Sequence, residues 1–382
     1  MKEVFVSYNN IASSLGFNTL SNIENVSKGV SGIKKHDNKK LRETPFYASL
    51  VDINELNKAF EKLGSIEGYT RLEKLMIISL NDVVQASKIA VTKKTALIIS
   101  TTKGNVDALD SESEFPNERA YLSELGKQIQ HFFGFENEAI IISNACVSGI
   151  LSISIAKRLI QNGVYENALI VSGDLVSEFI LSGFNSFQAI SEKPCKPFSK
   201  NRTGITIGEA AASVLVTSDK DFRSNDAVEI LGDGSCNDAN HISGPSRTGE
   251  GLFRSMQSAF KEANIQPETI DYISAHGTAT PFNDEMEAIA MNRMELGNVP
   301  LNSLKGYYGH TLGASGLVET IVGMQSLYTN TLYTSLGFDE LGVKQKINVI
   351  KKNESKKLAI FLKTASGFGG CNTAVLFKKI KN

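Results

Sequence analysis

Cysteine is scarce in this 382-residue chain: Cys146, Cys195, Cys236 and Cys371 are scattered with no CxxC spacing. That pattern excludes a small disulfide-stapled scaffold and fits a reducing, cytoplasmic setting. Excess charge is also missing, with 40 Lys and Arg against 41 Asp and Glu and a formal charge of -1. No global basic field draws the chain to nucleic acid or anionic lipid, so a charged partner must meet a local patch. The opening MKEVFVSYNN lacks the long apolar stretch of an export signal, and no Pro- or Ser-rich tether divides the chain. One uncharged run, Ala139 to Ala156, reaches the length of a membrane span. Its central Ser, Asn and Gly argue instead for a buried strand, turn and helix, and no membrane span is expected.

What is present is the composition of an ordinary folded enzyme, 41% hydrophobic and 21% charged, long enough for two packed lobes. Short apolar runs (Val4 to Val6, Ala96 to Ile99, Ala139 to Ile142, Ala168 to Val171, Ser213 to Val216) alternate with longer helical stretches. This alternation predicts an α/β fold with buried sheets. Val26 to Arg42, lysine-rich and irregular, reads as a surface excursion. The polar stretch Ser218 to Asn225 is the expected join between an N-terminal half, residues 1–222, and a C-terminal half, residues 223–382. A faint repeat connects them. Ile140 to Gly163 reads strand, sharp turn, Ser148-Gly149, apolar helix, and Pro300 to Leu327 reads strand, Gly-rich turn, Ser315-Gly316, apolar helix. Duplication would bring both turns to one face, because ligands of α/β sheets sit beyond the carboxyl ends of the strands.

Four segments carry chemistry. In Ser143-Asn144-Ala145-Cys146-Val147-Ser148-Gly149 the cysteine falls near a helix N-terminus, where unsatisfied amides are expected to favour a thiolate and lower the thiol pKa. A buried, inert cysteine is the bland alternative. Ser274-Ala275-His276-Gly277-Thr278-Ala279-Thr280-Pro281 sets an imidazole at a strand end among hydroxyls, suited to donating to a developing enolate or accepting a proton. His310 follows in a turn with Gly306, Gly309, Gly313 and Gly316, bracketed by Lys305 and Glu319. A lysine there stabilises negative charge or keeps imidazole neutral, and the glutamate can position the lysine. A metal is the competing use of two histidines and a cysteine, but the intervals lack zinc-ligand spacing and Lys305 opposes a cation, so no metal and no bound cofactor are expected. The last segment, Ala365-Ser366-Gly367-Phe368-Gly369-Gly370-Cys371-Asn372, lacks the lysine and following helix of a P-loop. It reads as a gating ring with backbone amides for an oxyanion.

Together and in this order the four segments resemble the elongating β-ketoacyl-ACP synthases, relatives of bacterial fatty-acid synthases I and II and of polyketide ketosynthase domains. The resemblance runs from Val4 through Phe377 and includes Lys196-Pro197-Phe198-Ser199-Lys200 leading to Gly208-Glu209-Ala210. It implies the thiolase fold, two duplicated α/β halves in a five-layer α-β-α-β-α arrangement, and a homodimer, or a heterodimer with a related chain-length-factor-like subunit. It implies an acyltransferase that condenses an acyl thioester held on Cys146 with malonyl-ACP, releasing CO2 and giving a 3-oxoacyl-ACP. Substrates would arrive on the phosphopantetheine arm of acyl carrier protein. By resemblance Cys146 is the nucleophile, His276 and His310 promote decarboxylation, and Lys305 and Glu319 support them. The amides of Cys146 and Phe368 form the oxyanion hole, with Phe368 also gating; Thr278 and Thr280 bind the arm; Phe184 and Phe187 line the acyl pocket, with core packing as the alternative. The acid-free cluster Lys193, Lys196, Lys200 and Arg202 would receive the acidic carrier protein, unless it is only a solvated loop. A non-elongating transacylase or decarboxylase with the same residues, and a non-catalytic partner subunit, remain as other readings. Ser366 stands where many members carry a second Phe, Ala275 where many have another residue, and Ser199 and Thr203 where acidic residues are usual. These departures point toward a specialised polyene or aromatic polyketide-type pathway.

Overall fold

The computed structural model describes residues 2–238 and 244–380. Ten strands build its two main sheets: β1 (Phe5–Ser13), β2 (Thr95–Ser100), β3 (Ile140–Ile142), β4 (Asn167–Asp174), β5 (Ala210–Thr217), β6 (Val228–Asn237), β7 (Tyr272–Ser274), β8 (Pro300–Asn302), β9 (Ile360–Ser366) and β10 (Cys371–Lys379). In space the first five run β1-β5-β4-β2-β3 and the second five β6-β10-β9-β7-β8, with the short strand Asn348–Val349 added beyond β8. Numbered within each half, both orders are 1-5-4-2-3. In each half the first two joints are antiparallel and the next two parallel. Among the described residues the halves join edge to edge where Phe5 and Val6 pair with Glu229 and Val228 and the Ile230 N–H donates to the carbonyl of Val4. All five apolar runs singled out in the N-terminal half fall within β1 to β5 or overlap them.

Six helices matter for the site, α1 (Arg71–Ser87), α2 (Ser148–Gln161), α3 (Glu178–Ser186), α4 (Glu250–Ala263), α5 (Pro281–Arg293) and α6 (Ser315–Thr329), and all but α3, which packs around Phe46 and Ile207, cover these sheets. Helix α1 starts at a capping box, in which Thr70 and Glu73 satisfy each other's backbone N–H, and packs on the outer face of the first sheet. Helices α4 and α5 cover the outer face of the second, while α2 and α6 lie between the sheets. Five layers result. The two-residue period of the strands explains their near-continuous apolarity, since each must bury both faces. In β4, Ala168 and Ile170 face the central helices while Leu169 and Val171 face the outer core; Val375 and Phe377 against Ala374 and Leu376 do the same in β10. Each such Leu, Ile or Phe contributes roughly 1.5–3 kcal/mol by leaving water.

Helices α2 and α6 cross at their first turns, and both are glycine there. A Cβ on Gly149 would sit 2.6 Å from the carbonyl oxygen of Gly313, and one on Gly316 would sit 2.5 Å from the amide nitrogen of Ile150. The Ser-Gly pairs of the repeat are therefore the crossing point of the inner layer, with the turn before each helix held beside the other. One expectation changes. Val26 to Arg42 is not merely a surface excursion: it holds the end of the helix Thr19–Ser27 and the strand Lys34–His36, which joins Phe46–Ser49 and Ile207–Gly208 in a small sheet. Gly32 also donates to the carbonyl of Tyr307, tying this segment to the second half. Ala139 to Ala156 is strand, turn and helix, and among the described residues no helix is long and apolar enough to cross a membrane.

Candidate active site

Three turns converge on one point. The first lies between β3 and α2, where Ala145 takes a left-handed φ of 43° and turns the chain so that Cys146 precedes the helix. Ser148 fixes this turn, accepting from the N–H of Asn144 at 2.8 Å and donating to the carbonyl of Ala145 at 2.7 Å. The second turn follows β7 and carries His276, and the third follows β8 and carries His310, whose N–H donates to Thr206 at 2.6 Å. The Cys146 Sγ and one nitrogen of each imidazole lie within 4.8 Å of one another, and all three residues are buried. The rings stand edge to face, 5.2 Å apart at 82°.

The hydrogen bonds around the imidazoles decide their tautomers. Nδ1 of His310 accepts from the backbone N–H of Leu312 at 3.1 Å, and the Ser315 hydroxyl lies 2.8 Å from the same nitrogen. A nitrogen that accepts cannot carry the proton, so Nε2 carries it, and that buried atom has no protein partner among the described residues. Nδ1 of His276 faces the Lys305 ammonium at 3.4 Å, which imposes the same tautomer. Burial, then the Lys305 charge, holds both imidazoles well below the ordinary histidine range, so both are neutral donors at neutral pH. The trio has the span of a three-ligand metal set. Its wiring is the reverse of one, because a ligating histidine donates through its other nitrogen whereas here both Nδ1 atoms face donors.

Lys305 is buried and bonded to the carbonyl of His276 at 2.5 Å and to Glu319 Oε1 at 2.7 Å, which places the pair singled out in the sequence directly behind the histidines. Two acidic residues that sequence reasoning missed hold the same turn. Glu287 accepts from the N–H groups of His276 at 2.8 Å and Gly277 at 2.6 Å, and Asp284 accepts from those of Thr278 at 3.0 Å and Phe198 at 2.7 Å. Burial raises both carboxyls, Asp284 to about 7. Their spacing on α5 was the available signal: three residues apart, on one helical face, in a helix that starts immediately after the histidine motif.

The expected lowering of the Cys146 thiol is not what the structure gives. Removal from water pushes it up to about 12, with Cys371 nearby adding to the rise and Lys305 opposing it. Cys146 rests as a thiol. Helix-end amides act over a turn, but here the sulfur is enclosed, and desolvation is the larger effect.

A cavity of about 420 Å³ opens above the trio, lined by Cys146, His276, His310, Phe368, Thr278 and Thr280 among others. The two threonine hydroxyls share a 2.8 Å hydrogen bond. Phe368, one-third exposed, packs against Phe184 and Phe187 at 5.4 and 5.2 Å; both of those also line the cavity, and Phe184 packs in addition against the core cluster around Phe46 and Ile180. Among the described residues neither the Cys146 nor the Phe368 N–H finds a protein acceptor. Ser366 turns to Asn372 at 2.7 Å on the same wall. The basic loop is different from expectation. It is free of acid in sequence only: Lys196 pairs with Asp339 at 3.2 Å and Lys200 with Glu340 at 3.1 Å, while Arg202 is largely buried against the carbonyls of Ser199 and Gly342. Acids about 140 residues away thus pair with Lys196 and Lys200, Asp284 lies 3.7 Å from Arg202, and Lys193 stays exposed.

Comparison with known proteins bears on the family and the fold. Residues 14–221 match the beta-ketoacyl synthase N-terminal domain and residues 227–339 the beta-ketoacyl synthase C-terminal domain. The chain belongs to the beta-ketoacyl synthase family. It is 32% identical over 268 residues to 3-oxoacyl-[acyl-carrier-protein] synthase 2 of Rhizobium meliloti (66% of this chain, 62% of that one). It is 32% identical over 252 residues to the enzyme of the same name from Staphylococcus aureus strain COL (62% of this chain, 60% of that one). The matched region thus spans about six-tenths of these relatives. The fold is that of a Xenorhabdus doucetiae ketosynthase solved with its chain length factor (TM-score 0.85, 24% identity, 99% of this chain and 98% of that one). It is equally that of the ishigamide ketosynthase/chain length factor (TM-score 0.88, 22% identity, all of both chains).

Proposed function

We propose that this protein is a 3-oxoacyl-ACP synthase that joins an acyl group on Cys146 to a malonyl thioester with loss of CO2. The observation that carries this reading is a buried thiol and two imidazole N–H donors meeting within 4.8 Å at the floor of one cavity. Acylation comes first: the Cys146 sulfur attacks the carbonyl of an incoming thioester, the carrier thiol leaves, and the cysteine's proton ends on that thiol. The thioester oxyanion is met by the N–H groups of Cys146 and Phe368. A malonyl thioester then places its carbonyl oxygen against Nε2–H of His276 and His310. Loss of its carboxylate as CO2 leaves an enolate whose charge those two donors stabilise. The enolate carbon attacks the Cys146 acyl carbonyl, the C–S bond breaks, and the cysteine takes up a proton as the 3-oxoacyl product leaves.

Lys305 and Glu319 act behind the reacting atoms, keeping His276 neutral and correctly turned. Thr278 and Thr280 line the path of the carrier arm, and Phe368 with Phe184 and Phe187 forms the mobile aromatic wall of the acyl pocket. No bound cofactor has a part, and the substrates are held on the phosphopantetheine of acyl carrier protein. The functional halves are residues 1–222 and 223–382, one supplying the nucleophile and the other both histidines. We assign a homodimer made through β3, an edge strand whose Ile140 and Ile141 are half-exposed and which pairs on one side only among the described residues. The free thiols fit the cytoplasm. Incubation with acyl-ACP followed by intact-mass measurement tests the reading: an acyl adduct is expected on the wild type and none on Cys146→Ala. Adduct formation without any 3-oxoacyl-ACP from added malonyl-ACP would leave only a transacylase, and no adduct from any acyl-ACP would end the proposal.

A further inference from the structure

Behind the site lies a second buried lysine. Lys363 is fully buried on β9, a strand whose neighbours there are Leu362 and Thr364, both also buried. Its ammonium is enclosed by oxygen: the carbonyl of Thr364 at 2.5 Å, the carbonyl of Ser274 at 3.2 Å and Glu319 Oε2 at 2.7 Å. The two carbonyl contacts are aligned hydrogen bonds. The glutamate contact is charge on charge, for Oε2 accepts no aligned hydrogen bond. Glu319 is thereby a carboxylate shared by two ammoniums, Lys305 on Oε1 and Lys363 on Oε2, each at 2.7 Å. Both lysines also hold the strand end that leads into the histidine turn, Lys305 through the carbonyl of residue 276 and Lys363 through that of residue 274.

An isolated ammonium in such a place costs several kcal/mol, and a single salt bridge would already neutralise Glu319 with Lys305. A lysine retained there needs a reason beyond packing. We infer that Lys363 is a positioning residue for the condensation, a tethered cation that fixes Glu319 and through it Lys305 and His276. This rests on the function proposed above. Without the Lys363 charge, Glu319 is free to rotate toward Lys305 alone and the carbonyl of Ser274 loses its donor, so the strand end before His276 loosens. The charged groups facing this point are Lys305, Glu319 and Glu287, with His276 and His310 beyond them.

Lys363→Ala in the full chain, with methylammonium added back, tests the role. The variant is expected to release CO2 from malonyl-ACP at least about tenfold more slowly, the usual cost of losing a group that orients a reacting one, while Cys146 still acylates. Methylammonium, small enough for the vacated cage, should recover much of the rate, and tetramethylammonium at equal concentration should not. Histidine Cε1–H titration by NMR gives a readout independent of turnover: the His276 midpoint should move up when the neighbouring positive charge is removed, in Lys363→Ala and in Lys363→Met alike. Wild-type protein assayed in parallel separates the two proposals, since a wild type that neither acylates nor decarboxylates counts against the proposed function and leaves the titration to decide on Lys363. A folded variant with unchanged decarboxylation and an unmoved His276 midpoint overturns the inference. So does a loss that methylammonium does not recover, or a failure of both variants to fold, either of which would make Lys363 a stability element only.

Discussion

The backbone N–H of Leu312 donates to Nδ1 of His310 at 3.1 Å, and this bond determines that the proton sits on Nε2, facing the cavity. His310 is thus built as a donor. Replacing it with alanine should lower decarboxylation of malonyl-ACP by about 10²–10³, the range for removing one oxyanion donor. Acylation of Cys146 should persist, because the acyl oxyanion is met by backbone N–H groups. CO2 release and intact mass on the same sample measure the two steps separately, and equal loss of both would contradict the division of roles.

The pH dependence follows from burial. Both histidines are held below their ordinary value, so they stay neutral as pH falls past 6.5, where a free imidazole would charge. The decarboxylation rate should therefore remain flat from pH 7 to at least about one unit below the free-imidazole midpoint. For stability the sign is unfavourable on the acid side. Above the unfolded pKa these groups contribute no pH dependence. Below it the unfolded chain takes up protons that the folded sites refuse, at about 1.4 kcal/mol per pH unit for each. A rate profile with an acid limb centred at the free-imidazole value would show that one of the two titrates normally.

Cys146 gives a second titration. A thiol pushed up to about 12 exposes roughly tenfold more thiolate for each pH unit below that point. Alkylation of the resting protein by iodoacetamide, followed at Cys146 by peptide mass, should keep rising through pH 10. A plateau near 8.5 would restore the activated thiolate that the sequence alone suggests.

Glu287 offers a test of the scaffold. Its two oxygens accept from two different N–H groups at 2.8 and 2.6 Å, which a glutamine cannot do, since one of its ends is a donor. Glu287→Gln should destabilise the fold by about 1–3 kcal/mol through one buried unsatisfied amide, read by denaturant unfolding. It should also lower decarboxylation more than acylation. A neutral effect on both would mean that the turn is held elsewhere.

The dimer proposal turns on β3. Ile141→Lys on that half-exposed edge places a charge where a second copy would pair, and sedimentation should show a monomer of 41.5 kDa. An unchanged dimer would move the interface to another face.

Much of this architecture is legible in the sequence. The apolar runs at residues 96 to 99 and 168 to 171 are continuous because their strands bury both faces, so they announce themselves without alternation. The Ser-Gly pairs at 148 and 315 mark equivalent helix starts, and the turns that carry Cys146, His276 and His310 announce themselves by their Gly, Ser and Thr neighbours. What stayed hidden depends on distance along the chain. The acids that neutralise Lys196 and Lys200 lie at 339 and 340, and no local pattern joins them. The thiol's resting state depends on how completely it is enclosed, which the motif does not state. Lys363 did leave a trace, as a single charge inside the apolar strand Ile360–Ser366, but only its oxygen surroundings say what that charge does.

The crossing of α2 and α6 at Gly149 and Gly316 has a consequence for change over time. Cys146 is three residues from one glycine and His310 six from the other, so both reacting groups are measured from a common origin at the centre of the molecule. Displacements in α1 and α4 act from the outer face of a sheet, whereas α5 touches the histidine turn directly through Asp284 and Glu287. Over many substitutions, those that part the two helices at this crossing should alter the distance between sulfur and imidazole, and those on the solvent side of α1 should not.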